Sequence, residues 1–222
     1  MPELVLWDID HTLMATRGFG RELWAAAFEQ VTGVQLREQA SVTGSTERVI
    51  LRETACLHDV PYSGDLFARF ADALGALHVR RAAELRERGH ALPGAAATLA
   101  ALADRGVRQS VVTGNVRTAA EVKVATFGLD SYLNLGEGAY GEDGEARPEL
   151  LRLALKRAGV EAEQVVFLGD TPADVAGGRE AGVRVVAVAT GKTSAADLRN
   201  AGAEAVLDGL ADTDQVLAAL GA

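Results

Sequence analysis

Residues 4–12 read Leu-Val-Leu-Trp-Asp-Ile-Asp-His-Thr, and this stretch decides how the rest of the chain is interpreted. Four apolar residues, Leu4 to Trp7, precede two aspartates, Asp8 and Asp10. A short apolar run that ends in polar turn residues is typical of a buried strand in a parallel sheet. Ligands of open α/β sheets bind at the carboxyl ends of the strands, so this position is a candidate functional site.

A second acidic pair lies far along the chain in the same setting. The apolar run at 165–168 is followed by Gly169 and Asp170, and Asp174 comes four residues later. If the two runs are neighbouring strands, the carboxylates converge at one edge of the sheet. Converging carboxylates repel one another, so a cation must compensate them or some must be protonated. Oxygen donors of this kind favour a hard divalent ion, most simply Mg²⁺.

The order of the apolar patterns predicts a sheet interrupted by helices. Residues 15–90 have a helical pattern without a convincing strand, and their longest helix is predicted from Asp65 to Gly89. From Pro93 onward, helices alternate with predicted strands. These strands are at 107–112, 131–135, 164–169, 184–188 and 205–207.

This order predicts an α/β fold with a doubly wound, Rossmann-like parallel sheet and an inserted all-helical cap. The core would comprise residues 1–14 and 91–222, and the cap residues 15–90. Because the insertion follows the first strand, we expect it to lie over the proposed site like a lid.

Composition limits the class of partner. The chain has 222 residues and a formal net charge of −9 without a basic stripe, which argues against nucleic acid and anionic membranes. Cys56 is the only cysteine, which excludes an intrachain disulfide and a cysteine-rich zinc site. No apolar run reaches transmembrane length and the N-terminus lacks a signal-peptide pattern, so we expect a soluble, cytoplasmic protein. The oligomeric state stays open.

Two further segments have residues that suit a phosphate group. Thr113 ends another predicted strand, and its hydroxyl, with the backbone N–H groups of Gly114 and Asn115, would lie at the same sheet edge. Arg147 precedes Pro148, which is favoured at the first position of a helix, here predicted over 148–158. Arg147 would then supply a fixed positive charge that can bind two phosphate oxygens.

Taken together, these segments resemble the haloacid dehalogenase superfamily in its phosphatase branch. The four motifs of that family occur in order, at Asp8/Asp10/Thr12, Thr113, Arg147 and Asp170/Asp174. The helical insertion resembles the cap of phosphoglycolate phosphatase-like and beta-phosphoglucomutase-like members. Two positions depart from the pattern: His11 stands where glycine is common, and Arg147 stands where lysine is usual. Lys156 therefore stays open as an alternative basic ligand.

The resemblance implies a Mg²⁺-dependent phosphatase that hydrolyses a small phosphorylated metabolite, such as phosphoglycolate or a sugar phosphate. Asp8 is the implied nucleophile, which forms an aspartyl-phosphate. Asp10 is the implied general acid and base, a role for which we expect a raised pKa. The implied metal site comprises Asp8, Asp170, Asp174 and Asp10, the last through its backbone carbonyl. The implied phosphate-binding residues are Thr113, Gly114, Asn115 and Arg147.

The residue types present in the chain distinguish between the alternative activities within the family. A dehalogenase needs no general acid because halide leaves unassisted, so Asp10 argues for phosphoryl transfer. Phosphonate cleavage through a Schiff base needs a cap lysine, and the only lysines are Lys123, Lys156 and Lys192, outside residues 15–90. A phosphoglucomutase-like phosphotransferase and a catalytically silent binding protein on the same fold stay open.

Overall fold

The computed structural model describes all residues from Met1 to Ala222, and its centre is a five-stranded parallel sheet. In chain order the strands are β1 (Leu4–Trp7), β2 (Met14–Ala15), β3 (His90–Ala91), β4 (Arg108–Val111), β5 (Val165–Gly169), β6 (Arg184–Val188) and β7 (Ala205–Leu207). The sheet order is β4-β1-β5-β6-β7, and β2 and β3 form a separate antiparallel pair. In the register of the sheet, Trp7 lies beside Val111 on one side and Leu168 on the other. The residues that follow β1, β4 and β5 therefore emerge side by side at one edge.

Helices cover both faces of the sheet. They are α1 (Phe19–Thr32), α2 (Glu47–Leu57), α3 (Gly64–Arg80), α4 (Ala82–Arg88), α5 (Ala95–Asp104), α6 (Arg117–Thr126), α7 (Arg147–Ala158), α8 (Pro172–Ala181), α9 (Ala195–Asn200) and α10 (Thr213–Leu220). Val5 and Trp7 face a cluster with α5, α6 and α10, whereas Leu4 and Leu6 face a cluster with α7, α8 and α9. Burial on both faces explains why the strands are continuous apolar runs.

The four helices α1–α4 form the inserted cap and share a core with the sheet. Trp24 stacks on Phe28 with ring centroids 5.6 Å apart, and Phe70 packs 5.0 Å from Trp24. Helix α3 packs on α6, where a Cβ atom at Gly75 would lie 2.8 Å from the Thr118 side chain. The fold class expected from the sequence, a doubly wound α/β core with a helical cap, is thus confirmed.

One strand prediction is wrong. Residues 131–135 contain no strand, because Asp130–Tyr132 form a single 3₁₀ turn and a second turn closes between Asn134 and Glu137. This part of the chain runs beside β4 without forming a continuous ladder. A single isolated bridge joins Val112 to Ala139. The turns interrupt the ladder that a strand would need.

The helix expected from Asp65 to Gly89 is divided. Helix α3 ends at Arg80 and α4 begins at Ala82. Between them, Arg81 forms an ion pair with Glu84 and places its guanidinium over the Phe19 ring, 4.9 Å from the centroid. The β2–β3 pair was also missed, because two residues per strand are too few to give a periodic pattern. None of the helices has the length and apolar character needed to cross a membrane.

Candidate active site

Three buried aspartates meet at the carboxyl ends of β1 and β5. Asp8 follows β1, Asp170 follows β5, and Asp174 lies in the first turn of α8. One carboxylate oxygen from each lies within 4.8 Å of the other two. Three of the four aspartates in the two acidic pairs that the sequence singled out are therefore brought together at one edge of the sheet.

Asp174 is fixed by contacts inside the protein. Its Oδ2 accepts hydrogen bonds from the Thr171 backbone N–H at 3.0 Å and the Thr171 hydroxyl at 2.7 Å. Its Oδ1 lies 2.7 Å from Arg147 Nε, as an ion pair without the alignment of a hydrogen bond. Because both oxygens are engaged, Asp8 and Asp170 are the carboxylates better placed to bind a metal ion directly. We infer that Asp174 orients its neighbours.

Arg147 reaches the cluster from the first residue of α7. Its Nη2 lies 3.6 Å from Asp8 Oδ1, and its Nη1 donates to the Val112 carbonyl at 3.2 Å. Gly177 leaves room for it, since a Cβ atom there would lie 2.7 Å from the Arg147 side chain. Lys156, the alternative basic ligand, is exposed in the last turn of α7 and pairs with none of the aspartates. The geometry therefore favours Arg147.

The electrostatics of the cluster favour a divalent cation. Burial raises the pKa of Asp8 well above its ordinary value, and the Asp174 and Asp170 charges raise it further. Burial, followed by repulsion from Asp174, raises the pKa of Asp170 to about 7. Three ionised carboxylates beside one guanidinium leave two negative charges uncompensated. The Asp10 backbone carbonyl accepts no backbone hydrogen bond, so it stays available as the further oxygen donor that the sequence predicts. These donors fit Mg²⁺.

The Asp10 side chain is not one of the three converging carboxylates and pairs with Lys123. Lys123 Nζ lies 2.6 Å from Asp10 Oδ2, and it also donates to Asn115 Oδ1 at 2.6 Å. Asn115 Nδ2 donates to Asp10 Oδ2 at 2.7 Å. The three side chains form a closed network that fixes the position of the Asp10 carboxylate.

Lys123 is the residue of the site that the sequence reasoning missed. Lys123 is buried, and a lysine side chain is rarely buried unless it has a partner for its charge. The signal was present in the sequence, because Lys123 follows Ala119 and Ala120 by four and three residues and so shares their buried helix face. A charged residue on the apolar face of a helix needs an ion-pair partner, and the half-buried Asp10 is that partner.

The expectation of a raised pKa for Asp10 is wrong for this structure. Burial would raise it, but the Lys123 charge and the hydrogen bonds from Lys123 and Asn115 outweigh burial and lower the pKa. The arrival of a phosphate dianion would reverse part of this effect, since a nearby like charge favours the protonated carboxyl.

The segment after β4 serves the site in two ways. Thr113 is fully buried, and its hydroxyl accepts from Asn115 Nδ2 at 2.7 Å. Both protons of that amide are used within the protein, so the Asn115 side chain orients Asp10 and Thr113. The Gly114 carbonyl accepts from the Glu47 N–H at 2.8 Å, so this loop also holds the cap. Phosphate binding by the Thr113 hydroxyl and by the backbone N–H groups of Gly114 and Asn115 stays a prediction.

The turn after β1 explains why glycine is common at position 11. His11 has φ of 61°, in the left-handed region that favours glycine. The Thr190 hydroxyl donates to the His11 carbonyl, which ties this turn to the loop after β6.

Replacing Lys123 with glutamine is expected to lower kcat/KM for alkyl phosphates about tenfold or more, because Asp10 loses the group that orients it. The loss should be smaller for p-nitrophenyl phosphate, whose leaving group needs little protonation. Lys156→Gln, at an exposed site, is the matched control. Equal losses on both substrates would show that Lys123 has only a structural role.

Comparison with known proteins identifies the family. A family model described as haloacid dehalogenase-like hydrolase matches residues 2–182. The chain therefore belongs to the haloacid dehalogenase-like hydrolase family, and the resemblance inferred from its four motifs is confirmed.

Curated relatives include two phosphoglycolate phosphatases. The chain is 38% identical over 120 residues to that of Rhodospirillum rubrum, which covers 54% of this chain and 49% of the relative. It is 36% identical over 140 residues to a plasmid-encoded one of Cupriavidus necator, which covers 63% of this chain and 61% of the relative. The matched regions thus span about half to three-fifths of these relatives.

A solved structure shows the same fold over almost the whole chain. A hydrolase from Pseudomonas syringae superposes with a TM-score of 0.73 at 18% identity and covers 99% of both chains. At this identity the likeness supports the arrangement of core and cap.

Proposed function

We propose that this protein is a Mg²⁺-dependent phosphatase that hydrolyses small phosphate monoesters through an aspartyl-phosphate on Asp8. The observation that carries the proposal is the placement of Asp8 beside Asp170 and Arg147, with Asp10 held by Lys123 at the same sheet edge. The phosphatase names of the relatives agree with this chemistry.

In the first step, an Asp8 oxygen attacks phosphorus and the ester P–O bond breaks. The departing alcohol oxygen takes a proton from Asp10, whose pKa is raised by the bound phosphate dianion. Lys123 and Asn115 keep the Asp10 carboxyl at a fixed position during this transfer. The products of the step are the free alcohol and a phosphorylated Asp8.

In the second step, water attacks the same phosphorus from the side that the alcohol has left. Asp10, now ionised, accepts the water proton, and the bond between phosphorus and the Asp8 oxygen breaks. Inorganic phosphate leaves and Asp10 is protonated again for the next cycle.

The negative charge on the transferring phosphoryl group has to be stabilised by hydrogen-bond donors that are held in fixed positions. Arg147 and the Thr113 hydroxyl are proposed to hold its oxygens in line with Asp8. Mg²⁺, held by Asp8, Asp170 and the Asp10 carbonyl, would offset the repulsion between the nucleophile and the phosphate. Asp174 keeps Arg147 in place.

The cap, proposed to comprise residues 15–90, closes over this site. Its segment 44–48, which includes the first two residues of α2, docks on the core. Arg48 Nη2 donates to the Glu142 carbonyl at 2.7 Å, and the Glu47 N–H donates to the Gly114 carbonyl. Closure excludes bulk water and leaves little space for a large leaving group. We therefore propose a small metabolite, and not a phosphoprotein, as the substrate.

The test is hydrolysis of p-nitrophenyl phosphate and of a panel of phosphorylated metabolites by the purified protein, with and without Mg²⁺. Release of inorganic phosphate that requires Mg²⁺ supports the proposal. No turnover of any monoester would favour a silent binding protein on this fold. Isomerisation of a sugar phosphate without phosphate release would favour the phosphoglucomutase-like alternative.

Gly114→Ala is expected to impair cap closure. A Cβ atom at this position would overlap the Ser45 carbonyl oxygen, so the loop that docks on the core must move. Overpacking of this kind costs about 1–3 kcal/mol, enough to lower kcat/KM about tenfold. Hydrogen exchange at the Glu47 amide should speed up in parallel, because its bond to Gly114 is lost.

The matched control for this variant is Gly64→Ala, since a Cβ atom at Gly64 meets nothing within 4 Å. Unchanged exchange at the Glu47 amide in Gly114→Ala would contradict the role given to this contact.

A further inference from the structure

Two side chains of the cap lie near the Lys123–Asp10 pair without taking part in the proposed chemistry. They are Glu47, at the start of α2, and His78, in α3. The Glu47 N–H bonds to Gly114, the neighbour of Asn115 in the Asp10 network, and α3 packs on α6, the helix that carries Lys123.

Glu47 is held in place at its backbone and at one carboxylate oxygen. Its N–H donates to the Gly114 carbonyl at 2.8 Å, and its Oε2 accepts from Trp24 Nε1 at 2.6 Å. Its Oε1 has no hydrogen-bond partner in the protein. The cap therefore presents a positioned acceptor beside Lys123 and Asp10.

His78 adds no positive charge to this side of the site. It is 3% exposed, and its Nδ1 lies 2.9 Å from the Leu74 carbonyl, so Nδ1 carries the proton. Burial lowers the pKa of His78 to about 4, which keeps the ring neutral. The ring therefore cannot compensate the charge of a substrate carboxylate.

The alcohol part of the substrate would lie among these groups. In the proposed mechanism Asp10 protonates the leaving oxygen, so the alcohol departs on the side of Asp10 and Lys123, beneath the cap. The site's two buried basic side chains, Lys123 and Arg147, already have carboxylate partners. Arg48, the nearest basic residue of α2, is engaged with the Phe67 ring and the Glu142 carbonyl.

We propose that Glu47 selects a leaving alcohol that carries hydroxyl or amino donors and excludes one that carries a carboxylate. This inference rests on the proposed phosphatase function and defines its substrate class. It favours phosphates of polyols or amino alcohols over phosphoglycolate, in contrast to the activity for which the two relatives are named.

The test compares two substrates of nearly equal size, 2-hydroxyethyl phosphate and 2-phosphoglycolate, which differ in a terminal hydroxyl or carboxylate. Burial raises the pKa of Glu47 to about 7, so assays are run at pH 8 with Mg²⁺, where Glu47 is ionised. We expect the wild type to have at least about tenfold higher kcat/KM for 2-hydroxyethyl phosphate, because two anions in a partly buried site repel.

Glu47→Gln keeps the shape and removes the charge, so it should raise the relative kcat/KM for phosphoglycolate about tenfold. Glu53→Gln, at an exposed position of the same helix, is the matched control and should leave the ratio of the two kcat/KM values unchanged. A purely structural role for Glu47 would change both rates without changing their ratio.

A wild type that prefers phosphoglycolate, or an unchanged ratio in Glu47→Gln, would overturn this inference and leave the phosphatase proposal intact. Failure to hydrolyse either substrate and p-nitrophenyl phosphate would overturn both. If Glu47→Gln does not fold, the wild-type ratio decides.

Discussion

Asp8→Asn is expected to lower turnover by at least about a thousandfold, because an amide cannot act as the nucleophile that forms the acyl-phosphate. The substitution is nearly isosteric and lies at the end of β1, so the fold should be retained. Steady-state hydrolysis of p-nitrophenyl phosphate measures the effect, and circular dichroism verifies the fold. A variant with near-wild-type turnover would contradict the covalent mechanism.

The same substitution is expected to stabilise the protein without Mg²⁺. The pKa of Asp8 is raised by burial and by its acidic neighbours, so its stabilising contribution is present below the ordinary value of 3.8 and is lost as the pH rises through the raised pKa. Asp8→Asn should therefore raise the Tm at pH 8, by about 2–4 °C for each kcal/mol of relieved repulsion. At pH 4 the difference should be small.

The matched control for Asp8→Asn is Asp104→Asn, at an exposed position. It should alter neither turnover nor the dependence of Tm on pH. A lower Tm of Asp8→Asn at pH 8 would show that the carboxylate cluster is not under the electrostatic strain inferred from its burial.

Asp170→Ala is expected to raise the Mg²⁺ concentration needed for activity by about a hundredfold, because it removes one of the two carboxylates placed to bind the ion directly. A readout independent of activity is the rise of Tm with Mg²⁺, since a ligand that binds only the folded state stabilises it. This rise should be clear in the wild type and largely lost in Asp170→Ala.

The rise of Tm with Mg²⁺ should depend on pH because of the Asp170 carboxyl group. Its pKa is raised from 3.8 to about 7, so the wild type without Mg²⁺ should lose stability as the pH rises across that window. Mg²⁺ should restore it above pH 7. An unchanged Mg²⁺ dependence of Tm in Asp170→Ala, with Asp104→Ala as control, would show that the metal site is assigned to the wrong residues.

The sequence was sufficient for the parts of the fold that depend on long, regular patterns. The apolar runs before Asp8 and Asp170 are buried on both faces of a parallel sheet, which explains why they could be recognised. The prediction of a strand at 131–135 was wrong because turns at Asp130–Tyr132 and after Asn134 interrupt this segment. Apolar content alone does not distinguish a strand from a buried irregular segment.

For the site, the sequence located the residues that follow strands or lie in the first turns of α7 and α8, but not those from the middle of α6 or from the cap. Lys123 comes from α6 and Glu47 from the cap, and neither lies in a motif. Their contacts with Asp10 and Gly114 depend on how α6 and the cap pack, which no local pattern specifies. The lowered pKa of Asp10 was missed for the same reason, because it depends on the Lys123 ammonium group.

The most direct test of the account is to trap the phosphoenzyme in Asp10→Asn. With p-nitrophenyl phosphate and Mg²⁺, the first step needs little acid catalysis, whereas the second lacks the group that activates water. We expect a burst of about one p-nitrophenol per active site, followed by slow turnover, and a phosphate on the peptide that contains Asp8. Steady turnover without a burst, or a phosphate on another residue, would contradict covalent transfer to Asp8.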